Sequence, residues 1–425
     1  MTGDDAGRRT VEAVWRIESA RIVGALARYT HDFALAEDVA QEALAEALVA
    51  WPRDGVPRNP AGWLLATGRR RAIDAFRRHT ALDERYAAFA HDLDEGEATS
   101  GAQGGAPASG NQIPDPERID DDVLALMFVA CHPVLSREAR VALTLRVVGG
   151  LTTEELARAF LVPVPTMQAR ITRAKKTLAA ARVPFEVPEP GDRAERLGSV
   201  LTVLYVIFTE GSTATAGDSW MRADLAREAI RLTRVLMRLA PEPEVYGLLA
   251  LLELTAARFP ARTGPDGAPV LLADQDRRRW DRGAIRRGRA ALARAVAQGR
   301  GLGAYGLQAA IAECHAVAPS VDETDWERIV VLYEALGRLA PSPVVELNRA
   351  VAVSMAQGPE AGLVAVERLA GGALDGSYLL PSVRGELLAR LGRTAEARGE
   401  LLRAAELCGN GAERAVLEGK AAGLV

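Results

Sequence analysis

The sequence predicts an all-α protein built from helical modules, and three observations carry that reading. Ala, Leu, Arg and Glu dominate its 425 residues while aromatics make up only 5%, a mixture that favours helices over sheets. Apolar residues recur in steps of three, four or seven, and no strand-like alternation of useful length occurs. Two stretches rich in Gly, Pro or acidic residues interrupt the periodic pattern. At roughly 150 residues per domain the length allows two to three domains, each with ample apolar material for a core.

The first module is expected over 1–90. Trp15, Ile22, Leu26, Tyr29 and Phe33 share one helical face, and Leu35, Val39, Ala43, Leu44 and Leu48 continue the spacing in a second helix. On that second helix Asp38, Gln41, Glu42 and Glu46 form an acidic-polar stripe. Residues 59–78 give a third helix with five arginines and one acid, in which Ile73 and Phe76 are expected as apolar anchors. Its basic stripe suits phosphate neutralisation.

Residues 91–122 read as a flexible, acidic, Gly-rich linker, with almost nothing to bury between Glu95 and Gly110. As a coil it spans about 30 Å on average. A helix-turn-helix is expected over 123–183. Thr152-x-x-Glu155 is a capping box opening a short helix. The helix that follows Pro163 and Pro165 turns Met167, Ile171, Ala174 and Leu178 inward. It leaves Thr166, Gln168, Arg170, Arg173, Lys175 and Lys176 for solvent or a major groove. Pro184, Pro188 and Pro190 mark a second boundary.

Over 191–425 the stretch Leu236–Val245 echoes Leu336–Val345 around a shared Leu-Ala-Pro, and a Gly turn is expected between two helices in Tyr378–Arg398. This is the grammar of a degenerate helical repeat of tetratricopeptide-like type. Asp274, Asp276, Arg277, Trp280 and Asp281 form a dense polar-aromatic cluster, read as an inter-helix network. The arginine run from Arg277 to Arg289 is read as a solvated face. Gly301-Leu-Gly-Ala-Tyr-Gly306 fits a dinucleotide pattern only formally, because it follows a helix rather than a strand.

Asp38-x-x-Gln41-Glu42 with Trp51, then Asn59-Pro-x-x-Trp63-Leu64, then Arg69-x-x-Ala72-Ile73-Asp74-x-x-Arg77-Arg78 resemble domain two of a sigma factor of RNA polymerase, of the compact extracytoplasmic-function type. The basic helix pair over 135–180 is similar to sigma domain four. The C-terminal part resembles the branch of these factors that carries a tetratricopeptide-like helical domain. The resemblance implies that Asp38, Gln41 and Glu42 dock on the beta-prime clamp helices of core polymerase. It implies that Asn59, Trp63, Arg69, Arg71, Arg77 and Arg78 serve the minus-ten element. The second helix of domain four would then read the minus-thirty-five element, and that domain would touch the beta flap. Gly68-Arg69-Arg70 stands where the family shows Ala-Arg-Asn, and Gly68 costs helix propensity.

The implied function is promoter recognition, DNA melting and transcription initiation, with the C-terminal domain acting in cis or recruiting a protein partner. The alternatives are a helical-repeat scaffold and a conventional helix-turn-helix regulator; the latter leaves the acidic helix and residues 59–78 unused. No Walker loop, His-Glu-x-x-His or Gly-x-Ser-x-Gly motif occurs, and the five histidines lack metal spacing. No enzyme, cofactor or metal is therefore expected. Three scattered cysteines, a polar Met1–Thr10 and no long apolar run give the expectation of a cytoplasmic protein without a membrane partner. The net charge of −4 conceals +5 on 55–80, −9 on 81–122 and +5 on 164–182, so near-neutrality does not exclude nucleic acid.

Overall fold

The computed structural model describes residues 3–91, 116–160, 162–212, 221–264 and 269–424. The described residues form α-helices and short 3-10 turns without a β-strand; Thr263 and Pro269 form an isolated bridge. The chain divides into two compact units, 1–203 and 204–425. That division falls inside a helix, α8 below. Most of the expected linker lies outside the described residues. Its end does not: residues 116–122 already belong to a helix.

In the first unit α1 (Gly3–Thr30), α2 (Phe33–Asp54) and α3 (Pro60–His91) form one group. Trp15, Ile22 and Leu26 are buried as their spacing predicts. Phe33 opens α2 and does not end α1. His31 takes a positive φ of 53°, and the Asp32 side chain accepts the amides of Ala34 and Leu35 at 2.8 and 3.0 Å, capping α2. Ile73 and Phe76 are exposed, a correction to their expected role as anchors; Leu64, Ala72 and Ala75 on α3 are buried instead. Gly68 is buried, and a Cβ there would lie 2.7 Å from Leu26 Cδ1. Close approach of α3 to α1 accounts for glycine at a position where propensity alone opposes it.

The group that follows is α4 (Pro116–Ala130), α5 (Arg137–Val147), α6 (Thr153–Ala159) and α7 (Val164–Ala180). The capping box forms: Glu155 Oε2 accepts the Thr152 amide at 2.8 Å, and Thr152 Oγ1 accepts the Glu155 amide at 3.1 Å. α7 starts at Val164 with Pro165 in its first turn, and Met167, Ile171, Ala174 and Leu178 are all buried. α8 (Pro190–Ser212) begins after the proline segment, and Arg196 donates to the Phe128 carbonyl at 3.0 Å.

The second unit contains α9 (Ala223–Leu239), α10 (Pro243–Ala256), α11 (Arg282–Ala297), α12 (Ala304–Val317), α13 (Trp326–Leu339), α14 (Pro343–Gln357), α15 (Pro359–Glu367), α16 (Leu379–Arg390), α17 (Thr394–Leu407) and α18 (Gly411–Ala422). Each helix packs on its sequence neighbour, and α10 also packs on α12. The two Leu-Ala-Pro junctions are alike. Ala240 (φ −139°, ψ 81°) and Ala340 (φ −137°, ψ 75°) both donate back, to Leu236 and Leu336, at 2.7 and 2.8 Å. Gly392 at φ 75° turns the chain from α16 to α17, as the sequence suggests.

The glycine-rich Gly301–Gly306 segment leads from α11 into α12. Glu244, from the first turn of α10, accepts the Tyr305 and Gly306 amides at 3.2 and 3.3 Å. The anion that this helix N-terminus attracts is thus supplied by the chain itself. A Cβ on Gly247 would lie 2.7 Å from the Gly306 backbone nitrogen, so the α10–α12 crossing requires glycine.

Gly247→Ala should therefore destabilise the second unit by roughly 1–3 kcal/mol through overpacking, although Ala is the better helix former; thermal unfolding of the full chain checks the sign. His315 gives a pH dependence. Burial, then Arg258 and Arg277, lower its pKa from 6.5 to about 4. Between those limits the unfolded chain holds more protons, so stability falls as pH drops, by roughly 3 kcal/mol at pH 4. The difference in melting temperature between wild type and His315→Gln should narrow or reverse in favour of the variant over that window.

Candidate polymerase and nucleic-acid interface

Three helices carry the residues that the sequence singled out, and each presents them differently. On α2, Asp38 and Glu42 are exposed and Gln41 is half-buried, while Val39, Ala40 and Ala43 face the core. Three- and four-residue spacing places the polar trio on one side because the opposite side is committed to α1.

Trp51 at the end of α2 is buried and meets Trp63 of α3 edge-on, with ring centroids 5.7 Å apart. Trp63 is thus partly a packing residue. Asn59 Oδ1 accepts the Gly62 amide at 3.0 Å, so the acceptor end of that side chain is engaged in starting α3. Arg69 is half-buried with its guanidinium 5.8 Å from the centre of the Tyr29 ring. Arg71 and Arg70 donate to the two oxygens of Glu46 at 2.8 and 2.7 Å. The hydrogen bond from Arg71 is the main reason that the Glu46 carboxyl titrates below its usual range; Arg70 adds to it, against a partial opposition from burial. Arg77 and Arg78 are exposed, two turns beyond these contacts. The minus-ten candidates therefore sort into a partly buried group, Trp63, Arg69 and Arg71, an exposed Asn59 engaged at the start of α3, and an outward pair, Arg77 and Arg78.

On α7, Thr166, Gln168, Arg173 and Lys176 are exposed and Arg170 is half-exposed. Lys175 departs from expectation. Its side chain is 13% exposed, and its Nζ donates to Glu37 Oε2 at 2.9 Å and Asp38 Oδ1 at 2.5 Å. Burial opposes its charge, but Glu37 and Asp38 outweigh that and raise its pKa. Glu37 is 3% exposed and also receives Arg146 Nε of α5 at 3.3 Å. In this arrangement Lys175 is not free to meet DNA, and Asp38, a polymerase-docking candidate, is its partner. Glu37 and Arg146 carry no separate signal in the sequence. Glu37 precedes a conspicuous Asp38, and only the fold shows that it points inward.

Further ties join the same two helical groups. Arg16 Nη2 meets Glu155 Oε1 at 2.5 Å, and Arg28 meets the buried Asp122 at 3.3 Å. Gly150, with φ 70°, brings the α5–α6 turn against Ser19 and Arg16 of α1, where a Cβ would lie 2.6 Å from Ser19 Oγ. The polar-aromatic cluster of the second unit is largely structural. Asp281 caps α11, Asp276 caps the turn before Trp280, and Arg277 lies 4.5 Å over the Trp280 ring. The arginine run is not a uniform solvated face, since Arg287 donates to the buried Glu253 at 3.0 Å.

No described helix is long and apolar enough to cross a membrane. Residues 16–81 match the family described as Sigma-70 region 2, and residues 125–178 match Sigma-70, region 4. Residues 196–296 match a family of unknown function, DUF6596. The chain is 47% identical over 404 residues to an uncharacterized protein of Rhizobium meliloti (strain 1021), covering 93% of this chain and 91% of the relative. No solved structure matches. Region 2 falls on α1–α3 and region 4 on α4–α7, in the order that the motifs predicted. The chain belongs to the sigma-70 factors that direct promoter recognition, and fits the extracytoplasmic-function type with a C-terminal extension.

Proposed function

We propose that this protein binds core RNA polymerase through the Asp38, Gln41 and Glu42 face of α2, against the beta-prime clamp helices, and directs promoter melting and initiation in the cytoplasm. Catalysis is left to the core enzyme. α3 then serves the minus-ten element, with Arg77 and Arg78 as outward phosphate contacts and Trp63 and Arg69 available to unstacked bases once strands part. Gln168, Arg170, Arg173 and Lys176 of α7 read the minus-thirty-five element, while the same domain engages the beta flap. The tetratricopeptide-like C-terminal unit regulates these steps in cis.

The observation that carries this reading is the engagement of α2 with α7 through Glu37, Asp38 and Lys175. A docking residue and a DNA-reading residue occupy one another, so the two proposed faces are not both free in the isolated chain. Such a protein binds DNA poorly alone and acquires its full surfaces when polymerase separates the two domains. The apparent affinity of each face is reduced by the fraction of molecules that are closed.

Glu42→Arg should weaken core polymerase binding by roughly a hundredfold without loss of helix content, since Glu42 is exposed and its nearest cation, Arg71, is 3.8 Å away. Unchanged binding in a pull-down with purified core rejects the docking assignment. Glu37→Ala should act the other way. It leaves Arg146 and Lys175 without their shared buried carboxylate, an effect of about 3–5 kcal/mol on the closed contact. Binding of the free chain to duplex promoter DNA should tighten by about tenfold or more, measured by fluorescence anisotropy. Arg170→Ala with Arg173→Ala should remove dependence on the minus-thirty-five sequence in run-off transcription.

A further inference from the structure

The second unit contains a cavity of about 500 Å³ walled by α10, α12, α13 and α14. Leu251, Ile311 and Leu336 supply apolar wall, and Arg258, His315 and Tyr333 supply polar groups. Arg258 follows the end of α10 and is half-buried; its pKa is lowered by burial first and by neighbouring Arg277 second. Its guanidinium has no hydrogen-bond or ion-pair partner among the described residues. Beside it, His315 Nδ1 and Arg277 Nη2 are buried and unpartnered, although Arg277 Nη1 donates to the carbonyls of His315 and Ala318 at 2.8 Å each. Tyr333 is held protonated, its pKa pushed up to about 12 by burial, so its hydroxyl is a donor.

An unpaired guanidinium in such a setting is destabilising. At two other places in the same unit a shielded charge is met by an opposite one. The buried Glu253 is met by both Arg234 and Arg287, and Arg222 pairs with Glu210 at 2.7 Å. At Arg258 no described residue supplies an acid, and the side chain lines the cavity.

We infer that this cavity binds a small amphipathic organic anion, with its carboxylate or phosphate head on Arg258 and its apolar body along Leu251, Ile311 and Leu336. A guanidinium receives either head through paired hydrogen bonds, and the volume falls within the range of small-molecule sites. His315 and Tyr333 flank the head as further polar contacts. All of its lining residues belong to the second unit.

The test uses the full chain and four eight-carbon probes that share one tail: octanoate, octyl phosphate, octanol and octylamine. Calorimetric titration should show saturable 1:1 binding of at least one anion, with octanol and octylamine at least tenfold weaker; the stronger anion identifies the head. Arg258→Met should weaken the anion at least tenfold and leave the ligand-free melting temperature unchanged or higher, because an uncompensated charge has gone. Ala312→Trp, which fills the cavity with Arg258 in place, should abolish binding and serves if Arg258→Met does not fold. Equal binding of octanol and octanoate, no saturable anion binding, or undiminished binding by Ala312→Trp would overturn the inference.

Discussion

The architecture of the first unit depends on one buried carboxylate. Glu37 sits at 3% exposure between Arg146 of α5 and Lys175 of α7. A charge so placed requires its partners, because a single unmatched ion of the three is strongly destabilising. The triad therefore holds the acidic helix of region 2 against two helices of region 4. Net stability is a poor explanation for such a cluster, since apolar residues of similar size often do as well. A contact that forms in one arrangement and is given up in another is the role that the geometry favours.

Local rules account for what was legible in the sequence. The apolar spacing of α7, the Thr152–Glu155 capping box and the Leu-Ala-Pro junctions at Ala240 and Ala340 are all settled within a few residues of chain, and all three take the predicted form. Structure and local pattern part where tertiary pairing overrides the spacing. Ile73 and Phe76 have helical spacing, yet the face of α3 that meets α1 is set by Gly68 against Leu26. The step of four from Tyr29 to Phe33 carries the α1 pattern across the break that His31 and Asp32 introduce, yet Phe33 opens α2.

Site residues follow the same division. The type of surface, acidic on α2 and basic on α3 and α7, could be read from charge spacing. Which basic residues point outward could not. Lys175 is indistinguishable from Lys176 in sequence, but a difference of one position turns one toward Glu37 and leaves the other in solvent. Arg71 and Arg70 are drawn to Glu46 while Arg77 and Arg78, two turns on, are exposed. Contacts between residues more than a hundred positions apart leave no mark in a single sequence. In the second unit the same logic separates Glu244, an acid that occupies a helix N-terminus, from Arg258, a cation that no described side chain answers.

The central claim is that the isolated chain keeps α2 against α7 and that polymerase parts them. Spin labels at Ala45→Cys and Ala179→Cys, both exposed, would report the separation of the two helices by pulsed electron resonance; the native cysteines are buried. A single short distance in the free protein that lengthens when core polymerase is added is the predicted result. The same distance with and without core, in a sample shown to be bound, would contradict the account.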